Sequence, residues 1–400
     1  MTAFLQICTT LAILLLAAKA FGYLSTKLNQ PSVLGELIIG IILGPSLLNI
    51  FNISFLNYEE LPKFINEFAE IGVLLLMFIA GLELHLSDLA KNKAASAYAG
   101  ILGVLVPVFL GFLVGELFSM DREQSLFLGL TLGATSVSIS AQTLIELRML
   151  RSRVGFGLLG AAVFDDMSVI LLLSGFIALH LGGSINEILM VVGKMIIFLS
   201  ASLAFGYWIL PKITRKIQKL PITQGSITLA LVIIFVYGVS AEILGGMAAI
   251  TGSFIAGLMY ARTTEKNEIE RGLRSLAYGL FVPIFFINIG LHIDIHDMGI
   301  SSLWILLTVS AVAILGKIIG SGLGAKLGKF EWKESLQLGV GMVSRGEVGL
   351  IVATVGLQEN LLNPDLYSAI VGMVLITTLI TPPLLRASFS NIEPKQTSQV

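Results

Sequence analysis

Charge is what this chain has least of. Asp, Glu, Lys and Arg make up 13% of its 400 residues, about half the share of a soluble domain, and so little charge excludes a water-solvated globule. Cysteine is almost missing too: Cys8 stands alone, which excludes an intrachain disulfide. No basic patch interleaves with aromatic residues, so nucleic acid is not an expected partner, and the net charge of −1 says nothing about partners. The His-Glu-x-x-His of a membrane zinc protease and the Gly-x-Gly-Asp of an intramembrane aspartyl protease are both absent. The chain is therefore not expected to be an enzyme, and no cofactor is expected.

What the chain does have is apolar length. Hydrophobic residues reach 55% and mean hydropathy is +0.90. Run after run attains the roughly 20 residues that cross a bilayer core of about 30 Å. These runs are long and do not alternate, which excludes a barrel and leaves helices as the only way to satisfy the backbone in lipid. The expected fold is an all-α polytopic membrane protein. Thirteen spans are predicted at 3–22, 32–52, 64–84, 94–118, 125–147, 154–179, 188–210, 223–243, 247–261, 272–292, 302–325, 335–357 and 366–385. The first lacks a basic leader and a cleavage site and reads as a retained helix. A short polar tail follows from about Arg386, with no soluble domain expected.

Loop charge orients the spans. With the N-terminus outside and the C-terminus cytoplasmic, the cytoplasmic loops collect almost all the Lys and Arg. The opposite loops hold only Lys63 and Arg122, and Lys19, Lys194, Lys317 and Arg345 fall inside spans. An internal repeat accompanies this alternation. Phe78-Ile79-Ala80-Gly81-Leu82, followed by Asp88, echoes Phe286-Ile287-Asn288-Ile289-Gly290-Leu291, followed by Asp297. Gly35 and Gly40 echo Gly252 and Gly257, and Ser125 to Gly129 echoes Ser335 to Gly339, with an offset near 210 residues. The expected plan is two inverted six-helix repeats, 1–179 and 220–388, around a linker helix region at 180–219, with a tail at 389–400. Such repeats mark secondary transporters. Spans 64–179 and 272–385 are expected to form an ion-translocating core, and the rest a dimer panel.

Within this apolar background a few residues carry chemistry. Asp165 and Asp166 sit near the middle of the sixth span, where each carboxylate costs several kcal/mol unless it finds a partner, a proton or an ion. Neighbours on a helix diverge by about 100°, so the two acids point at different partners. An acid that binds a proton or a hard cation with the same oxygens makes the two ligands compete, and that competition is exchange. Lys317, central in the eleventh span, is expected to pair with Asp165. Two roles are open to that pair: a structural bridge, or a link that breaks when a cation reaches Asp166 and so releases a further proton.

The fifth and twelfth spans both read as broken. Gly133-Ala134-Thr135-Ser136-Val137-Ser138 places hydroxyls and β-branched residues at mid-membrane, and Gly341-Met342-Val343-Ser344-Arg345-Gly346-Glu347 adds glycines and opposite charges. Unwound backbone there must be enclosed in protein or line a cavity. Thr135 and Ser136 are the expected contributors beside Asp166 and Asp165 to a transported Na⁺. Ser344, Arg345 and Glu347 are expected to compensate the broken ends rather than to bind the ion. Glu36, Glu70 and Glu83 read as solvated or packing residues near span ends. His85, His180, His292 and His296 read as solvated, and Asn288 could reach toward the ion path.

Together, Asn29-Gln30-Pro31-Ser32-Val33-Leu34-Gly35-Glu36, Leu43-Gly44-Pro45-Ser46, the Phe78 string, Asp165-Asp166, Lys317 and Ser344-Arg345-Gly346-Glu347 resemble the monovalent cation:proton antiporter-2 family, and within it the bacterial NapA-type sodium/proton antiporters. The likeness runs from about Phe21 to Pro383. It implies homodimers whose six-helix core slides against a dimerisation domain, with crossed, unwound helices at spans five and twelve. It also implies Asp166 as the ion-binding aspartate, Asp165 as the lysine-paired one, and electrogenic exchange. The expected function is Na⁺/H⁺ exchange by alternating access in a bacterial inner membrane, with the lipid bilayer as surroundings and Li⁺ or K⁺ as further possible cargo. A K⁺/H⁺ exchanger of the same family and a cation channel are the alternatives.

Overall fold

The computed structural model describes residues 2–53, 56, 58–84, 86–180, 185–292, 302–358 and 361–389. Among the described residues every regular element is helical, because apolar runs without alternation can pair their backbone groups only within themselves.

Glycine and proline set where the helices start and stop. α1 (Ala3–Lys27) ends two residues before Asn29, which is left-handed at φ 57°. α2 (Ser32–Leu43) starts after Pro31 and stops at Gly44-Pro45. The predicted span 32–52 is thus only twelve residues of α-helix, since the proline cannot extend the ladder; a single 3₁₀ turn follows at Ile50–Asn52. α3 (Leu61–Glu83) has Pro62 in its first turn, where the missing N–H costs nothing. The short α4 (Leu86–Lys91) precedes α5 (Lys93–Leu117), which runs through Pro107. α6 (Arg122–Gly133) and α7 (Val137–Glu146) are one span interrupted at residues 134–136. α8 (Arg153–His180) carries the two aspartates.

α9 (Ile185–Ala204) passes through a π segment, Phe205–Ile209, into α10 (Leu210–Gln218). α11 (Gly225–Ile243) and the twelve-residue α12 (Ala249–Tyr260) follow. α13 (Lys266–Leu276) joins α14 (Val282–Leu291) through a second π segment, Ala277–Phe281. Lys212, Arg215 and Lys216, and likewise Lys266, Arg271 and Arg274, were expected in loops but lie on these helices. Both segments are strongly amphipathic and carry the helix past the apolar boundary. α15 (Ser302–Leu327) holds Lys317. α16 (Trp332–Gly341) and α17 (Glu347–Gln358) flank a second interruption, and α18 (Pro364–Phe389) is the last helix.

Ten helical stretches among the described residues are long and apolar enough to cross a membrane, counting α6 with α7, α9 with α10 and α13 with α14. The predicted boundaries shift, but the fold class stands. The packing falls into two sets. α5 lies along α15; α5 also packs on α6 and α8, and α15 on α16 and α18. In the other set α14 packs on α2 and α3, α12 on α3 and α11, and α1 on α2. The sequence grouped residues 64–84 and 272–292 with the ion-carrying helices; the packing instead associates α3 and α14 chiefly with α12 and α2.

Backbone contact fixes the second set. A Cβ on Gly40 would sit 2.3 Å from the Ile287 carbonyl oxygen, and one on Gly290 would sit 2.5 Å from the Gly40 carbonyl carbon. At the α3–α12 crossing, Gly81 and Gly257 face the Phe254 and Phe78 carbonyl oxygens at 2.2 and 2.0 Å in the same sense. Small-residue crossings of this kind let helices gain dispersion contact where no hydrophobic effect drives them together.

Candidate functional site

The first interruption is enclosed rather than lipid-facing: the 122–146 stretch is 94% buried across its apolar window. That is the condition under which unwound backbone is tolerated at membrane depth. It meets the second interruption directly. The Ser136 amide donates to the Ser344 carbonyl at 2.9 Å, the Ser344 hydroxyl donates to the Ser136 carbonyl, and Ser140 Oγ donates to the Gly341 carbonyl. Ser136 Oγ lies 3.0 Å from Ser138 Oγ. The hydroxyls expected here therefore supply the backbone partners that the helices gave up.

Arg345 completes that repair. Its guanidinium is fully buried and donates to the carbonyls of Leu132 at 2.7 Å, Ala313 at 3.2 Å, Val343 at 3.2 Å and Met342 at 3.3 Å. Leu132 lies in the last turn of α6 and Met342 follows α16, so one cation sits at the negative ends of two half-helices. Thr378 of α18 donates to the Arg345 carbonyl in turn. Glu347 opens α17, and its side chain lies outside the described residues.

Asp165 and Lys317 form an ion pair, both fully buried, between α8 and α15. Lys317 also lies within electrostatic reach of Asp166 and Arg345. Two buried cations thus balance two buried acids. Removing one member of such a pair strands its partner, at a cost of about 3–5 kcal/mol.

Asp166 faces elsewhere, as the 100° step requires. With Met77 of α3, Val137 of α7, Leu159, Ala162 and Val163 of α8, and Ile250, Thr251 and Phe254 of α12, it lines a crevice where the two packing sets meet. Thr251 Oγ1 donates to its Oδ2 at 2.7 Å. Val137 is the first residue of α7 and Thr251 lies in the first turn of α12, so two helix N-termini come to this carboxylate and favour its charge. The Thr135 hydroxyl is buried and has no hydrogen-bond partner among the described residues.

Thr251 is the residue that sequence reasoning missed. The matched glycine Gly252 stands beside it, and the signal was that neighbour's place in the repeat. Three other residues find their places. Glu36 is buried inside α2, so of the two readings, solvated or packing, the geometry is that of packing. Glu83, at the end of α3, pairs with Arg274 and lies 3.9 Å from Arg151. Asn288 donates to Asn66 at 3.1 Å instead of reaching the aspartates, because α14 packs on α2 and α3. His292 Nδ1 lies 2.8 Å from the Asn288 carbonyl; His85 and His296, and the side chain of His180, fall outside the described residues.

Known proteins are similar to this chain along almost its whole length. Residues 11–387 match the family model described as sodium/hydrogen exchanger, transmembrane. The chain is 43% identical over 379 residues to a probable Na⁺/H⁺ antiporter, GerT, of Bacillus cereus, covering 95% of this chain and 98% of that one. It is 40% identical over 379 residues to the Na⁺/H⁺-K⁺ antiporter GerN of the same organism, covering 95% of each. In fold it is similar to the sodium proton antiporter MjNhaP1 of Methanocaldococcus jannaschii, with a TM-score of 0.67 at 18% identity over 97% of this chain and 98% of that one. With apolar helices long enough to cross a membrane and a match to the family model along almost its whole length, this integral, multi-pass membrane protein belongs to the sodium/hydrogen exchanger family, whose members are antiporters.

Proposed function

We propose that the chain exchanges Na⁺ for H⁺ by alternating access, with the Asp166 carboxylate as the site that either ion occupies. One observation carries the reading: Asp166 lines a crevice at the seam between two packing sets, while its neighbour Asp165 is turned inward onto Lys317. We take α5–α8 with α15–α18 as the moving core, and α1–α3 with α11–α14 as the scaffold, which transfers α3 and α14 out of the core that the sequence alone suggested. The contact pairs are consistent with inverted repeats: α2 on α14 mirrors α12 on α3, and α5 lies on α15 about the symmetry axis. Thirteen membrane crossings, a homodimer, an outside N-terminus and a bacterial inner membrane belong to the same proposal.

The exchange follows from valence. Bound at Asp166, a proton neutralises the acid, and a dehydrated cation does so through the same oxygens. Sodium entry displaces the Asp166 proton and, in this reading, also breaks the Asp165–Lys317 bridge, so that Lys317 gives up a second proton against one sodium ion. That step makes the cycle electrogenic. Thr135 is the further hydroxyl aimed at the cation. Potassium exchange is the second reading, favoured by the name of the GerN relative.

The test is exchange in proteoliposomes carrying an internal pH dye, with Na⁺, Li⁺ and K⁺ titrated against the parent and Asp166→Asn. The variant is expected to lose cation-driven proton movement by at least about a hundredfold, the scale of removing a charged ligand worth about 3 kcal/mol. Sodium-driven proton movement that persisted in Asp166→Asn would overturn the site, and conduction without counter-flux would make the protein a channel.

A further inference from the structure

Exchange requires more than a shared site: the core must not cross while that site is empty, or cation and proton fluxes separate. Asp166 belongs to α8 in the moving core, whereas Thr251 belongs to α12 in the scaffold, so the hydrogen bond between them spans the sliding surface. We propose that Thr251 is the coupling residue of the exchanger, holding the unloaded core in place through its hydrogen bond to ionised Asp166. The inference rests on the proposed exchange reaction and on the division into core and scaffold.

Charge and geometry together make the latch selective for the empty state. An ionised carboxylate is the strongest acceptor the hydroxyl can meet in a buried site, and hydrogen bonds to charged groups outweigh neutral ones. The first turn of α12, in which Thr251 sits, adds a favourable field for the same negative charge. Protonation removes that charge, and a cation takes the oxygen lone pairs to which the hydroxyl donates. Either cargo therefore weakens the bond by the act of binding, and the core is released only when it is loaded. Among the side chains that line the crevice with it, Met77, Val137, Leu159, Ile250 and Phe254 are apolar. Ser32, which donates to Glu146 of α7 through its amide and hydroxyl at 2.6 Å each, also joins scaffold to core, but its acceptor lies away from the ion site and is indifferent to loading.

The experiment measures radioactive sodium influx and proton efflux together in proteoliposomes of the full chain, for the parent, Thr251→Val and Thr251→Ser, with Thr251→Ala where valine disturbs assembly. In Thr251→Val, sodium entry unmatched by proton exit is expected to rise about tenfold, the rate ratio that one hydrogen bond to a charged acceptor represents; Thr251→Ser is expected to restore the parent's proton-to-sodium ratio. A general loss of structure would lower both fluxes without changing that ratio. A Thr251→Val protein that stays coupled like the parent overturns the latch. So does a correctly assembled Thr251→Val protein that binds no sodium, since the hydroxyl would then be a ligand. If the parent itself moves no protons against sodium, the exchange reading falls first and the latch with it.

Discussion

The two helix interruptions occupy matching places in the sequence, at 134–136 and 342–346, yet they are filled in opposite ways. The second contains Arg345, whose guanidinium reaches carbonyls of both interruptions and of α15. The first contains Thr135, whose hydroxyl meets nothing among the described residues. One interruption thus holds a cation that donates to four carbonyls while its Nε stays without a hydrogen-bond partner among the described residues, and the other keeps a buried hydroxyl, an oxygen able to ligate a cation, in reserve. The difference shows how two similar gaps yield an asymmetric site: a single charged side chain reaches carbonyls at both and leaves polar capacity at one.

Three substitutions break or sharpen that contrast, beginning with the most damaging. Arg345→Met removes the donor to four buried carbonyls and is expected to cost about 3 kcal/mol or more of stability, seen as a fall in the melting temperature of the detergent-solubilised protein. An unchanged melting temperature would mean that the carbonyls are satisfied without it. Thr135→Val takes away a buried hydroxyl with no partner, so melting should hold or rise slightly, while the sodium concentration for half-maximal exchange rises about tenfold, equivalent to about 1.4 kcal/mol of lost ligation. A variant that melted earlier and bound sodium normally would move Thr135 to a structural role. Ser344→Ala deletes one of the hydrogen bonds between the interruptions and is expected to cost only about 1 kcal/mol, because the Ser136 amide still donates to the Ser344 carbonyl.

Acidity probes the same competition without mutation. A proton and a cation that share one carboxylate exclude each other, so below the carboxyl's own titration range each unit fall in pH should raise the half-saturating sodium concentration at least about tenfold, and more steeply where Lys317 also gives up its proton. Above that range the acid is already ionised, and only the Lys317 proton still opposes the cation, so the dependence should weaken. Exchange assayed across a pH series at several sodium concentrations reads both limbs, and a half-saturating concentration independent of pH throughout would exclude a shared site.

How much of this could be read in advance depended on how unusual each residue is for its surroundings. Two adjacent acids and a lysine inside apolar spans have few explanations in lipid, so Asp165, Asp166 and Lys317 stood out, and the cost of burying a lone charge pointed to the bridge between them. Hydroxyls and glycines bunched at mid-span signalled the interruptions for a similar reason. Thr251 carried no such contrast, since single threonines are ordinary on apolar helices, and its role arises from a neighbour far away in sequence. The amphipathic extensions α10 and α13 escaped notice because the apolar criterion stops at the first charged turn. The grouping of α3 and α14 was hidden as well: Gly40, Gly81, Gly257 and Gly290 look like any small-residue stripe until the crossing they permit is seen.

The brevity of α12 has an electrical meaning. Twelve residues rise about 18 Å, well short of a hydrocarbon layer of about 30 Å, so the helix cannot have both ends at the membrane surfaces. The end that carries Thr251 is the one that meets Asp166, half-way along α8, and it delivers the positive pole of a peptide dipole to a depth that a full-length span would pass through with its backbone already paired.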